Sequence, residues 1–177
     1  RKSILTFATA VIRDIIPIIG RNLARGAQGM AFLDLCPRSH ASATMPQGTS
    51  MAKRALIVFE DRHEPAWLRL LTPGFRHCFC VVGGGLNWTI IDPLLSRIEV
   101  LPFCGLDEDG LAEHYQRTGR TVVAGRISSV ATCKAFIPRP LTCVEVVKRT
   151  LNLDAPGVLT PRQLHRVLTR SPAFRPI

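Results

Sequence analysis

Three side chains of this 177-residue sequence have the types and positions that a thiol nucleophile requires. Such a nucleophile needs a stabilised thiolate, a base that takes its proton and a polar group that orients the base. Cys143 follows Thr142, a common helix cap, so its sulfur is predicted to lie in a first helical turn, where free N–H groups favour an anion. His77 and Asp92 lie fifteen residues apart, at the two ends of a predicted hairpin. The sequence therefore predicts Cys143 as nucleophile, His77 as general base and Asp92 as the orienting carboxylate.

The hairpin is predicted from its turn and its flanking strands. Residues 77–82 (HCFCVV) and 88–92 (WTIID) are typical of strands, and the glycines at 83–85 with Asn87 supply the turn. Positions 77 and 92 then lie opposite or nearly opposite each other. The carboxylate of Asp92 can bond one ring nitrogen of His77 and leave the other nitrogen for Cys143.

The surrounding elements indicate an α+β domain, with an antiparallel sheet packed against the helix that Cys143 begins. Further strands are predicted at 55–59, 97–103 and 121–127, and Pro102 favours an edge position for the second of them. Helices are predicted at 107–117, 141–151 and 160–168, with a short helix or turn at 64–71. The helix after Thr142 has apolar residues at 144, 147 and 151, and Glu145 predicts a capping box.

The cysteine pattern does not indicate a metal site or a disulfide framework. Cysteines are sparse for a disulfide scaffold, so we expect reduced thiols at all six positions, Cys36, Cys78, Cys80, Cys104, Cys133 and Cys143. Cys78 and Cys80 have one residue between them, whereas zinc knuckles use two to four. The prediction is that no metal and no cofactor is required.

The first fifty residues differ from the rest of the chain. Residues 37–50 (PRSHASATMPQGTS) have no periodicity and are typical of a linker, whereas Met51 is followed almost at once by a predicted strand. We expect the catalytic domain to span 51–177. Residues 1–50 are then a poorly ordered extension or an upstream segment translated by mistake. A signal peptide is the alternative, but its apolar run would reach only Ile12 before Arg13.

Charge and hydropathy exclude several classes of protein. The 23 Lys and Arg against 13 Asp and Glu give a net charge of +10, but the excess is scattered, which favours a solvated basic surface over a specific nucleic-acid site. No apolar run reaches the roughly 18 residues of a spanning helix, because the run at 4–19 is broken by Arg13, Asp14 and Pro17. We expect no membrane span, no convincing signal peptide, and a cytoplasmic or virion-associated location.

The string GFRHCFCVVGGGLNWTIIDPLLSRIEV, followed about fifty residues later by LTCVEVVKRTLNLDAPGVLTPRQLHRVL, resembles the circularly permuted NlpC-type branch of papain-like cysteine peptidases and amidases. Such proteins have the chain order His, polar orienter, Cys at a helix start, and similar short proteins occur in phage and prophage gene sets. The resemblance covers roughly residues 55–168. It implies a papain-like fold, the triad Cys143, His77 and Asp92, and a peptide substrate, with peptidoglycan peptides favoured. Phage virion or tail proteins are the partners it implies.

Three residues near the triad are candidates for substrate contact. Arg76 precedes His77 and has the charge to bind an anionic group, Trp88 is either a core residue or a pocket wall, and Thr142 precedes the nucleophile. The cysteines on either side of Phe79 are not part of the family pattern.

Two other interpretations stay open. Cys143 can be a small buried apolar residue, and His77 and Asp92 can be structural, in which case the chain is a non-catalytic phage assembly or interaction protein with a basic surface. Alternatively, the permuted fold also resembles acyltransferases of the lecithin:retinol acyltransferase type, in which the acyl group passes to an acceptor other than water.

Overall fold

The computed structural model describes residues 53–62, 66–127 and 140–177. The segment 1–50 and residues 64–65 of the short predicted helix lie outside the described residues. Within the described part, six strands form one antiparallel sheet in the spatial order β4-β3-β2-β1-β5-β6. The strands are β1 (Arg54–Glu60), β2 (His77–Gly84), β3 (Asn87–Pro93), β4 (Ile98–Cys104), β5 (Thr121–Arg126) and β6 (Phe174–Pro176).

Three α-helices accompany the sheet in the described part of the chain, so the predicted α+β class is confirmed. They are α1 (Glu108–Arg117), α2 (Cys143–Thr150) and α3 (Pro161–Arg170), and a 3-10 helix spans Ala66–Leu70. No helix among the described residues is long and apolar enough to cross a bilayer.

The central strands are buried on both faces because helices cover each side. One face packs Ile57, Phe59 and Cys78 against Val147 of α2 and Leu164 of α3 in a single apolar cluster. On the other face the ring of Phe79 meets Tyr115 of α1 edge-on, with 5.5 Å between ring centroids. Alternate residues of β2 thus face different helices, which explains why five consecutive residues from His77 are buried.

The β2–β3 hairpin has a tighter turn than the sequence predicted. Gly84 pairs with Asn87, so the turn is Gly85-Leu86 and both strands extend further than expected. Gly85 has φ 62, a left-handed conformation that favours glycine. Gly83 is needed for a different reason, because a Cβ there would lie 2.2 Å from the carbonyl oxygen of Asn87.

The helix starts follow from their caps, with one correction. Thr142 caps α2, and its hydroxyl accepts a hydrogen bond from the Glu145 N–H, as predicted. The predicted capping box on α2 is wrong in its second half, because the Glu145 carboxylate turns to Lys148 and Arg149. The complete box is on α3, between Thr160 and Gln163.

Lys148 connects α2 to the loop that leads into α3. The side chain is 3% exposed, and its ammonium donates to the carbonyl oxygens of Ala155 and Val158, each at 3.0 Å. The third partner is the Glu145 carboxylate at 2.9 Å. A buried ammonium is tolerated only when paired and hydrogen-bonded, and here all three donors have partners.

The edge position predicted from proline is confirmed. Pro102 lies in β4, which is an edge strand. α1 ends at Thr118 as C-cap, and Gly119 follows it with φ 79.

A matched pair of leucines tests the packing of α3. Leu164 is fully buried and Leu159 is 69% exposed. Leu164→Ala is expected to lower the free energy of unfolding by about 2–5 kcal/mol, because it removes buried methyl groups and leaves a cavity. Leu159→Ala is expected to change it by less than about 0.5 kcal/mol. Urea unfolding followed by circular dichroism measures both, and equal effects would contradict this packing.

Candidate active site

The three residues predicted to form a triad meet at one end of the sheet. His77 begins β2, Asp92 lies near the end of β3, and Cys143 begins α2, whose next turn packs on β2. The β2–β3 ladder ends at the pair Cys80 and Ile91, so His77 and Asp92 lie just beyond it, where their side chains bond directly.

The imidazole of His77 is held by Asp92. Nε2 of His77 lies 2.7 Å from Oδ1 of Asp92, and the two side chains are 6% and 4% exposed. This bond leaves Nδ1 as the ring nitrogen for the hydrogen bond that His77 shares with Cys143. The geometry is that of a nucleophile, a base and a group that orients the base.

The sulfur of Cys143 is stabilised as a thiolate. Its pKa is lowered to about 4, chiefly because the Cys78 thiol hydrogen-bonds to it and next because His77 faces it, with the Cys78 backbone N–H adding less; burial opposes the shift. The helix start adds the positive end of α2. Cys143 is intermediate in exposure, whereas Cys78 and Cys80 are buried.

His77 is the matching cation. Burial alone would lower its pKa, but the hydrogen bonds with Asp92 and Cys143 outweigh burial and raise the pKa to about 9. At neutral pH the two side chains therefore form a thiolate–imidazolium pair.

Sequence reasoning missed the arginine behind Asp92. Nη2 of Arg62 lies 3.1 Å from Oδ2 of Asp92, so each carboxylate oxygen has its own partner. Arg62 also bonds Glu60, with 2.9 Å from Nε to Oε1. Despite burial, the hydrogen bonds and charges of His77 and Arg62 hold the pKa of Asp92 below its usual value. Glu60 lies opposite His77 in the pairing of β1 with β2. The register between these two strands was the information needed to predict the role of Arg62.

Glu60 extends this network to β5. Its second oxygen accepts from Nε of Arg120 at 3.0 Å, just before β5 begins. Hydrogen bonds through Arg62, Glu60 and Arg120 therefore connect the end of β1 to Asp92, the carboxylate that binds His77.

The three residues predicted to contact substrate, Arg76, Trp88 and Thr142, do not all lie near His77. The indole N–H of Trp88 donates to the carbonyl of Leu106 at 2.9 Å, and the side chain is 2% exposed, at the turn end of the hairpin. The structure thus makes Trp88 a core residue remote from His77. Arg76 binds Asp61 at 2.8 Å beside the site, and Thr142 is the exposed cap of α2.

His165 and Cys80 are two further titratable side chains whose pKa values are shifted by burial. His165 packs against Phe59 and Phe75 with centroids 5.3 and 5.0 Å away, and burial lowers its pKa. Burial raises the pKa of Cys80 to about 12. Among the described residues, no group of three or more His, Cys, Asp and Glu side chains is placed to hold a metal ion. His40, His63, Cys36 and Cys133 lie outside the described residues.

Comparison of the chain with protein-family models, with curated proteins and with solved structures finds no match.

The thiolate–imidazolium pair predicts how alkylation of Cys143 depends on pH. An ordinary thiol alkylates about tenfold faster per pH unit below its pKa of about 8.5, because only the thiolate reacts. With its pKa near 4, Cys143 is expected to react with iodoacetamide at an almost constant rate from pH 5.5 to 7.5. Peptide mapping by mass spectrometry at short reaction times gives the rate at Cys143 itself.

The His77→Gln variant is the control for this measurement. Loss of the cation is expected to move the inflection of the Cys143 rate to higher pH, because one of the groups that stabilise the thiolate is removed. A wild-type rate that already rises about tenfold per unit over the same range would contradict the ion pair.

Proposed function

We propose that this chain is a thiol-dependent hydrolase of the peptidase or amidase kind, with Cys143 as nucleophile, His77 as acid and base, and Asp92 as the residue that orients His77. The observation that carries the proposal is the 2.7 Å bond between Asp92 and the ring of His77, at the end of the sheet where Cys143 begins the helix packed on β2. A structural cysteine on a core helix requires neither the imidazole nor the carboxylate.

The proposed reaction follows from the charges of the three groups. The Cys143 thiolate attacks the substrate carbonyl, and the His77 imidazolium donates its proton to the departing amine or alcohol. Neutral His77 then takes a proton from water, which attacks the acyl-enzyme and releases the acid. Asp92 stays ionised throughout and stabilises the imidazolium each time it forms.

The start of α2 is the proposed oxyanion site. The N–H of Glu145 is bonded to the Thr142 hydroxyl, and the N–H of Val146 is bonded to the Thr142 carbonyl. The backbone N–H of Cys143 comes earlier in the same turn, before the first hydrogen bond within the helix. It therefore lies at the positive end of the helix dipole. Developing negative charge on a carbonyl bonded to Cys143 would meet this end of the helix.

The proposed family is the permuted NlpC-type branch of papain-like enzymes. The chain order His77, Asp92, Cys143 supports it, as does an antiparallel sheet packed on a helix that the cysteine begins. Peptidoglycan peptides are the substrate class that this assignment favours, and a phage or prophage setting accompanies it.

Acyl transfer is the second candidate, and exposed apolar side chains favour it. The β1–β2 and β3–β4 connections lie at the same end of the sheet as His77, since Glu60 pairs with His77 and Pro93 with Ile98. These connections and the segment before α2 expose four large apolar side chains, those of Trp67, Leu70, Leu95 and Leu141. Exposed apolar side chains suit a fatty acyl group better than a charged cell-wall peptide.

Replacement of the nucleophile tests the proposal. Cys143→Ala is expected to lower kcat/KM by at least about 1,000-fold, because the covalent step is lost. Asp92→Asn is expected to lower kcat/KM less, because the Cys143 sulfur and the His77 imidazole both remain, although the imidazolium loses its carboxylate partner. The assay panel contains peptidoglycan peptides, short peptide anilides, and p-nitrophenyl esters of acetate and of a long-chain acid.

Cys104→Ala is the matched control, because Cys104 lies at the end of β4, remote from His77, and is expected to keep full activity. Preference for the long-chain ester together with transfer to an added amine or alcohol would favour the acyltransferase. Wild-type protein that turns over no substrate in the panel faster than Cys143→Ala would contradict the enzyme and favour an interaction protein.

A further inference from the structure

A second thiol lies against the reactive one. Cys78 lies in the buried cluster between β2 and α2, and Cys143 packs against that cluster. A hydrogen bond between the two sulfurs is the largest cause of the lowered pKa of Cys143. The hydrolysis proposed above does not require this thiol as a reactant. A hydroxyl or an amide would serve equally well as a hydrogen-bond donor.

The two sulfurs differ in exposure and in charge. Cys78 is 0% exposed, whereas Cys143 is partly exposed. Burial raises the pKa of Cys78 well above its usual value, while Cys143 is held as a thiolate. Peroxides oxidise thiolates that solvent can reach, so the first oxidation falls on Cys143.

We propose that Cys143 is a site of oxidation by hydrogen peroxide, and that Cys78 is the resolving thiol that converts the oxidised sulfur into a reversible Cys78–Cys143 disulfide. The proposal goes beyond the hydrolase function and does not depend on it, because it concerns only the two sulfurs and the oxidant.

The two steps balance as follows. The Cys143 thiolate attacks one peroxide oxygen, the O–O bond breaks, and the hydroxide that leaves takes the His77 proton to become water. Cys143 is then a sulfenic acid. The sulfur of Cys78 attacks the Cys143 sulfur, the S–O bond breaks, and the departing hydroxide takes the Cys78 proton to become a second water. Two thiols and one peroxide thus give one disulfide and two waters.

The disulfide would protect the site as well as switch it off. A sulfenic acid without a neighbouring thiol proceeds to sulfinic and sulfonic acids, which thiol reductants do not reverse. Because Cys78 is already in contact with Cys143, the sulfenic acid has a partner before a second peroxide arrives. Formation of the disulfide removes the thiolate, and reduction restores it.

Peptide mapping of the full chain tests the proposal. The protein is treated with hydrogen peroxide, its remaining thiols are blocked with N-ethylmaleimide, and it is digested with trypsin without reductant. Trypsin leaves Cys78 and Cys80 in the peptide 77–97, and Cys143 in the peptide 135–148, because Arg139 precedes a proline. The expected product joins these two peptides, with fragmentation locating the bond at Cys78, and dithiothreitol separates them.

Two serine variants on one strand sharpen the test. Cys80 lies on the same face of β2 as Cys78 and in the same peptide, so Cys80→Ser is the matched control and should keep the cross-link. Cys78→Ser should lose it and accumulate at least about fivefold more sulfinic and sulfonic acid at Cys143. Cys78→Ala provides the same information should the serine variant fold poorly.

Either of two results would overturn the proposal. One is wild-type protein in which peroxide oxidises Cys143 without joining the two peptides. The other is a cross-link that survives in Cys78→Ser. Neither result bears on hydrolysis, which is measured on reduced protein with substrate, so failure of one proposal is distinguishable from failure of the other.

Discussion

A thiolate that is largely removed from water is stable only when a cation and hydrogen-bond donors face it. In this fold His77 supplies the cation, and Cys78 supplies a thiol donor and a backbone donor. The cation is itself buried and is stable only because Asp92 accepts its second N–H. The positions of β2, β3 and α2 are thus constrained by one electrostatic requirement, since moving any of them would leave a buried charge without its partner.

The groups further from the sulfur also need an oppositely charged partner for each buried charge. Asp92 needs a second partner for its other oxygen, Arg62 needs a second carboxylate, and that carboxylate binds a further arginine. The result is a line of alternating charges that runs from α2 across the end of the sheet to β5: Cys143, His77, Asp92, Arg62, Glu60 and Arg120. Each interior member has opposite charges on both sides, which reduces the cost of burying any one of them.

Local signals in the sequence were enough to predict the elements that hold the triad. The glycines at 83–85 predicted the hairpin, Thr142 predicted a helix start, and Pro102 predicted an edge strand, because each acts through backbone conformation within a few residues. The roles of Arg62 and Cys78 could not be predicted in this way. They depend on the register between β1 and β2 and on which face of β2 meets α2, and these are fixed only by packing of the whole sheet.

Trp88 and Glu145 are two residues for which the sequence pattern suggested contacts that differ from those in the structure. The sequence pattern allowed Trp88 to line a pocket, but the turn is two residues long and brings its indole to the Leu106 carbonyl. Glu145 has the position of a capping-box residue, yet two cations on the next turn of its own helix attract its carboxylate more strongly than the backbone N–H does.

The position of Glu145 has a consequence for the sulfur of Cys143, two residues before it. An unpaired carboxylate in the first turn of α2 would repel a thiolate and cancel much of the attraction of the helix terminus. Lys148 binds one oxygen of Glu145 at 2.9 Å and Arg149 binds the other at 3.0 Å. Two positive charges therefore face the single negative charge of this carboxylate. Lys148 and Arg149 therefore balance the combined negative charge of Glu145 and the Cys143 thiolate, so the charged side chains of this short helix sum to zero even though an acidic residue lies within its first turn.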